Sequence, residues 1–180
     1  MRRLFHGVPV ILVMALLSCS GGGDGGEGAG EQAADSSAAA PEPGLVSDVT
    51  FRNLDGDVVR LSDYGRKILM VNYMETWHAD SKALVPIMNE VQRKFFANVV
   101  VIGILTDVKS AALAKVFVEK NGVKFEVMLP HGDPGNFGMP GKLPTTHVVT
   151  REDQIIGRFD GLHRAKKYEG FILSMYKRRM

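Results

Sequence analysis

The apolar positions of the chain fall into three regimes: a short N-terminal apolar run, a polar stretch, and from about residue 49 continuous apolar runs that alternate with segments of helical spacing. Val49 and Phe51, then Val58, Val59 and Leu61, flank Asp55-Gly56, which predicts a β-hairpin closed by a tight turn needing positive φ. Residues 68–74 are mostly apolar and predict a buried strand that ends at Thr76 and Trp77. From Ala79 the composition turns to helix formers, with Ala83, Leu84, Ile87, Met88 and Val91 at helical spacing up to Phe95. Residues 99–105 predict a second buried strand, ending at Thr106-Asp107. Ser110 then caps a helix carrying Leu113, Val116, Phe117 and Val118, stopped by Asn121-Gly122, and residues 123–129 predict a short strand. Two late strands, 146–150 and 154–159, are joined by Arg151-Glu152-Asp153. A last helix runs from about Arg164 to Lys177 with Tyr168, Phe171, Ile172 and Met175 as its core stripe. Strands alternating with helices in this order imply parallel pairing with right-handed crossovers. A helix N-terminus therefore points out of the first buried strand near His78, where backbone N–H groups and the macrodipole favour an anion or a reactive centre.

The order Trp77, His78, Ala79, Asp80, Ser81, Lys82, with Pro86 five residues after Ser81, resembles the active-site segment of the thioredoxin superfamily. The usual form there is Trp followed by Cys-x-x-Cys and Lys, with a kinking Pro at that same fifth place. His78 stands in the attacking position and Ser81 in the resolving one, so both cysteines are replaced while the frame is kept. A Pro inside a helix costs about 3 kcal/mol, which makes its spacing here more specific than the Trp alone. Leu143-Pro144-Thr145-Thr146 resembles the superfamily's second signature, a Pro whose preceding bond is cis and which faces the helix N-terminus. Pro is unwelcome inside a sheet, and its place at the start of a strand fits that assignment.

The hairpin, the helix after the second strand and the C-terminal order resemble the TlpA-like, membrane-anchored, extracytoplasmic redoxins, which include oxidoreductases of cytochrome c maturation. The resemblance covers about residues 46–178. It implies an α/β, thioredoxin-like three-layer fold: a central mixed sheet with an N-terminal β-hairpin and helices on both faces. In redox-active members the groove between the helix start and the Pro loop holds an extended polypeptide by backbone hydrogen bonds. Here that groove is built by Trp77, His78, Leu143, Pro144 and Thr145. The redox activity is not implied, because the residues that carry it are replaced.

Arg2 and Arg3 precede an apolar stretch, residues 4–17, interrupted by His6, Gly7 and Pro9. A membrane-spanning helix needs roughly 20 apolar residues, so this one reads as a secretory signal, residues 1–18. Leu16-Leu17-Ser18-Cys19 resembles a bacterial lipobox, which implies cleavage before Cys19 and its acylation; Ser20 fits outer-membrane sorting in a diderm host. Residues 19–45 form the lipidated Cys and a Gly/Ala/Ser-rich tether. Residues 20–48 hold the acids Asp24, Glu27, Glu31, Asp35, Glu42 and Asp48 with no Lys or Arg. A coil of that length reaches about 30 Å. The folded domain is expected over residues 46–180, facing the periplasm of a bacterial cell envelope.

Cys19 is the one cysteine of the chain. Once it carries lipid through a thioether the mature protein has no thiol, and thiol-disulfide exchange needs a thiolate. Residues 49–180 hold 20 of the 22 basic and 14 of the 20 acidic residues, the excess lying in Arg164, Lys166, Lys167, Lys177, Arg178 and Arg179. A solvated helix face accounts for these, with weak attraction to anionic lipid head groups as the alternative; secretion argues against nucleic acid as partner.

Three function classes follow for the altered site. The first is a non-redox module that binds an envelope protein or peptide. The second is copper or haem binding through His78, biased towards neutral imidazole by the helix dipole, with Met74, His131, Met139 and His147 as candidate co-ligands. The third is a hydrolytic pair, His78 as base and Ser81 as nucleophile at i and i+3, with Asp80 nearby. Ser81 and Asp80 are more simply capping residues. The Gly-rich loop of residues 131–141 lacks the Ser or Thr of a phosphate-cradling loop after Lys142, and Phe137 and Met139 on it suggest a binding rim.

Overall fold

The computed structural model describes residues 49–65, 67–132 and 140–177. The signal, the lipobox with Cys19, the tether, Phe137, Met139, Arg178 and Arg179 lie outside the described residues. Strands β1 (Thr50–Asn53) and β2 (Val58–Arg60) form the N-terminal hairpin, with Gly56 at φ 100° in its turn. A single 3-10 turn, Leu61–Tyr64, leads into β3 (Ile68–Met74), and α1 (Ala79–Lys94), β4 (Val99–Leu105), α2 (Ala111–Asn121) and β5 (Glu126–Pro130) follow. Strands β6 (Thr145–Val149) and β7 (Ile155–Asp160) and helix α3 (Ala165–Lys177) complete the domain. Among these residues no helix is long and apolar enough to cross a membrane.

The described strands make one sheet in the order β2-β1-β5-β4-β3-β6-β7. The pairs β3–β4 and β4–β5 are parallel, as the crossover reading requires, and the remaining pairs are antiparallel, so the sheet is mixed. Every residue of β3 is buried, because it lies in the middle of the sheet with apolar layers on both sides. Alternation along the strands sorts the core into two layers. Met70 and Met74 of β3 and Val101 and Leu105 of β4 meet Leu84, Val85, Met88 and Val91 of α1, Phe117 of α2 and Tyr168 and Ile172 of α3. Leu69, Val71 and Tyr73, with Ile102 and Ile104, pack instead with Val49, Phe51 and Leu61. The three described α-helices thus share one face, and the helical cover of the other, among the described residues, is the 3-10 turn. Two right-handed crossovers that step the same way, from β3 to β4 to β5, put both of their helices on the same side.

Several boundaries and faces differ from the sequence reading. The buried stripe of α1 is Ser81, Leu84, Val85, Met88 and Val91; Ala83 is exposed and Ile87 half-buried. On α2 only Ala114 and Phe117 are buried, whereas Leu113 and Val116 stand 60% and 58% exposed. Ser110 occupies the N-cap position of α2 without a side-chain capping bond. The strand expected from residue 123 starts at Glu126, because the intervening backbone donors are used elsewhere. Val123 N–H closes the end of α2 on Val118 O at 3.0 Å, and Lys124 N–H donates to Asn89 Oδ1 of α1 at 2.8 Å. The same Asn89 donates from Nδ2 to Gly122 O at 2.9 Å, fixing this corner against α1. In α3 the expected stripe holds, with Tyr168 and Ile172 buried and Phe171 and Met175 packed against the core.

Candidate functional site

The β3–α1 junction is built by the strand that precedes it and braced by the strand beside it. Thr106, just past β4, donates its backbone N–H to Met74 O at 3.0 Å and its hydroxyl to the same oxygen at 3.2 Å. The Asp107 carboxylate accepts the Thr76 N–H, 3.0 Å from each oxygen, and the Thr76 hydroxyl at 2.5 Å. The sequence marked Thr106-Asp107 only as a strand end. Its bracing role had one available signal, a Thr-Asp pair immediately after a buried parallel strand. After Thr76 the chain exposes Trp77 at 68% and turns into the helix at His78, the N-cap residue, with φ −71° and ψ 127°.

His78 and Ser81 take unlike environments. The His78 ring is half-buried and tilted at 59° against the Trp77 ring, centroids 5.4 Å apart. Its Nδ1 is shielded from solvent without a hydrogen-bond partner, and the side chain does not cap the helix. Ser81 is fully buried, and its Oγ accepts the Glu75 N–H at 3.2 Å. That bond ties the first turn of α1 back to the strand end, and it runs to Glu75 rather than to His78. Asp80 is exposed in the first turn, where a carboxylate favours the helix dipole. Pro86 lies inside α1 at the expected spacing.

The second half of the site is the corner before β6. The Leu143–Pro144 peptide is cis. Register pairs Tyr73 with Thr145, so Pro144 falls level with Met74 at the end of β3. Leu143 is half-buried, Pro144 and Thr145 are buried. The Thr145 hydroxyl lies 2.5 Å from Lys142 O and 2.8 Å from Asp160 Oδ1, and Gly161 N–H donates to Pro144 O at 2.7 Å. Burial disfavours a charge on Asp160, but hydrogen bonds from Arg158 and Thr145 outweigh it and hold the carboxyl below its usual range. The side chain of Thr145 is therefore spent inside the corner, while Leu143 makes no backbone hydrogen bond within the described residues. Below the corner, Thr146 donates its hydroxyl to Asn72 Oδ1 at 2.7 Å, and Asn72 Nδ2 donates to Met70 O and Ile102 O at 3.0 and 3.1 Å. A polar residue inside an otherwise apolar strand was the visible signal for that buried network.

The described candidate co-ligands of His78, namely Met74, His131 and His147, are dispersed. Met74 points into the helix-covered layer, its Cε so close to β4 that a Cβ on Gly103 would lie 2.7 Å away. His147 pairs in register with Val71 and stands against Tyr73 on the opposite face, ring centroids 5.8 Å apart. Burial, reinforced by the nearby Arg158 charge, pushes His147 down to about 4, so it is neutral near pH 7. His131 follows β5, two strands from β3, with Nδ1 3.4 Å from the Arg52 guanidinium. Among the described residues no three His, Cys, Asp or Glu side chains are grouped so as to hold a metal ion.

A strand–Trp–helix junction with a proline inside the helix, facing a cis-proline corner at the same sheet end, defines a protein of the thioredoxin fold. No family model matches the chain. Thiol-disulfide oxidoreductase ResA of Bacillus thuringiensis (strain Al Hakam) is 27% identical over 122 residues, covering 67% of this chain and 70% of the relative. The structure of a DsbF homologue from Corynebacterium diphtheriae superposes with TM-score 0.65 at 26% identity, over 74% of this chain and 87% of that one. The pneumococcal exposed lipoprotein thioredoxin Etrx1 of Streptococcus pneumoniae strain TIGR4 shares the fold with TM-score 0.56 at 19% identity, over 69% of this chain and 97% of its own. The chain has the thioredoxin fold, and its similarity to these proteins supports a place on the TlpA- and ResA-like redoxin branch of that superfamily.

Proposed function

We propose that this protein is a lipid-anchored, redox-inactive thioredoxin-fold module of the bacterial cell envelope that binds a protein or peptide in the groove between Trp77-His78 and Leu143-Pro144. The observation that carries the reading is the fate of the two altered positions. Ser81 is buried and its hydroxyl holds the Glu75 N–H, so the resolving position has become part of the scaffold, while the frame around it is kept. The relatives are named for thiol-disulfide oxidoreduction, which needs a thiolate nucleophile. With His78 and Ser81 at those positions and Cys19 as the single cysteine, no dithiol is available to this chain.

What remains is a recognition surface. The exposed indole of Trp77 forms one wall, and the Leu143 peptide group, unused within the described residues, offers main-chain hydrogen bonds to an extended polypeptide. The domain plan assigns residues 1–18 to a signal, 19–45 to the lipidated Cys and tether, and 46–180 to the fold. The lipid on Cys19 would hold the domain at the membrane, at the outer membrane in a diderm host. A lipoprotein with the same fold gives this plan a precedent.

The test pairs two assays on the full chain. Insulin reduction by dithiothreitol should proceed no faster with the protein than without it. Titration with Cu(I), Cu(II), Zn(II) and haem, beside His78→Ala, should give no tight binding that depends on His78. Catalysed reduction, or tight metal or haem binding lost in His78→Ala, would replace the binding-module reading with an oxidoreductase or a carrier.

A further inference from the structure

Helix α2 carries more apolar surface than the sheet accepts. Ala114 and Phe117 fill the core, but Leu113, Val116 and Lys120 share the adjoining face at i, i+3 and i+7, and the first two of these are more than half exposed. Beside them a groove of about 250 Å³ opens between α2 and the start of α1, floored by Val108, Leu113, Val116 and Phe117 and rimmed by Thr76, Lys82, Lys120 and Asn121. This groove is distinct from the cis-proline corner, which contributes no residue to its lining.

The rim decides what fits. Its neutral groups are already satisfied: Thr76 is held by Asp107, and Asn121 Nδ2 donates to Phe117 O at 2.8 Å. Its charged groups are both cations. Among the described residues Lys82 Nζ reaches the Trp77 carbonyl, at 3.5 Å, and neither Lys82 nor Lys120 makes an ion pair. Among the described residues no carboxylate is in the groove's lining, and the Asp107 carboxylate beside it is engaged by the Thr76 N–H and hydroxyl. An apolar floor between two lysines of this kind matches a segment with apolar side chains flanked by Asp or Glu, and it disfavours a basic one.

We infer that the α2 groove is a second docking site, which takes an acidic amphipathic segment of a partner polypeptide, its apolar side chains on Leu113 and Val116 and its carboxylates on Lys82 and Lys120. The site does not depend on the reading of the cis-proline groove, since the two surfaces are separately mutable. Occupancy would cover the apolar patch that α2 otherwise leaves to water.

The test uses the ¹⁵N-labelled full chain and two acetylated, amidated probe peptides of the same length. One carries Leu at helical spacing with Glu at the flanking positions, the other Lys in place of each Glu. The Glu peptide should shift the amides of Val108, Leu113, Val116 and Lys120 saturably, and the Lys peptide should not. Lys82→Glu combined with Lys120→Glu should weaken the Glu peptide by about tenfold or more and gain binding of the Lys peptide. Equal response to both peptides, no response at α2, or shifts confined to Trp77, Leu143 and Thr145 would overturn the site. So would the same amides moving with protein concentration alone or with phosphatidylglycerol vesicles, which would assign the patch to self-association or to a lipid surface.

Discussion

The two crossovers of the parallel sheet follow one sequence plan and reach different ends. Helix α1 packs between β4 and α3, and Leu84, Val85, Met88 and Val91 are all fully buried along it. Helix α2 packs on β5 and buries only Ala114 and Phe117. The same apolar spacing thus means core in one helix and open surface in the other. Helix α1 also packs against α3, a non-local contact that spacing within the helix does not encode. The first crossover positions the site; the second leaves Leu113 and Val116 exposed.

Truncation should separate the two helices most strongly. Met88→Ala removes a side chain with 0% exposure and should cost about 2–5 kcal/mol in denaturant unfolding. A loss below about 1 kcal/mol would mean that α1 is no better seated than α2. The next effect probes the sheet face away from the α-helices. With its ring held neutral down to about pH 4, His147 stays unprotonated in the fold at pH values where the unfolded chain binds a proton. The sign is therefore destabilising on acidification: stability should be unaffected by this group above about pH 7 and fall by roughly 3 kcal/mol between about pH 6.5 and 4. His147→Phe should flatten that limb, measured as denaturation midpoints across pH.

A smaller effect is expected at the junction. Ser81→Ala leaves the Glu75 N–H without its acceptor and should cost about 1–2 kcal/mol, while Ser81→Thr, if accommodated, retains the bond. An unchanged melting point in Ser81→Ala would remove the argument that this position has become scaffold. Least of all, Leu113→Ser should change stability by no more than about 0.5 kcal/mol, because its side chain is already in water. A loss as large as that of Met88→Ala would show that the exposed face of α2 is covered in the intact chain.

Local patterns carried the fold a long way. The buried runs of β3 and β4, the Asp55-Gly56 hairpin, Pro86 within α1 and the proline opening β6 were all readable, because each is written in contiguous residues. The failures share one cause. Leu113 and Val116 have helical spacing, and nothing in residues 111–121 reveals that their side of the helix faces solvent. Val123 has strand composition, but its N–H is taken by Val118 and its neighbour's by Asn89, 35 residues away in the chain. The place of Trp77 and His78 at the start of α1 and of Pro144 just before β6 was legible in the sequence. The clamp of Asp107 on Thr76, the buried bond of Ser81 and the separation of Met74 from His147 on opposite faces depend on how strands align, which spacing alone does not encode.

The most direct test of the account puts a photo-crosslinking amino acid at position 77 of the full chain in its native envelope, beside the same probe at Phe96, which is 72% exposed past the far end of α1. The account predicts a discrete polypeptide adduct from position 77, absent from position 96, unaffected by dithiothreitol and diminished by Pro144→Ala in a chain whose circular dichroism and melting point show it folded. Adducts of equal yield from both positions, or an adduct from position 77 that persists undiminished in folded Pro144→Ala, would contradict it.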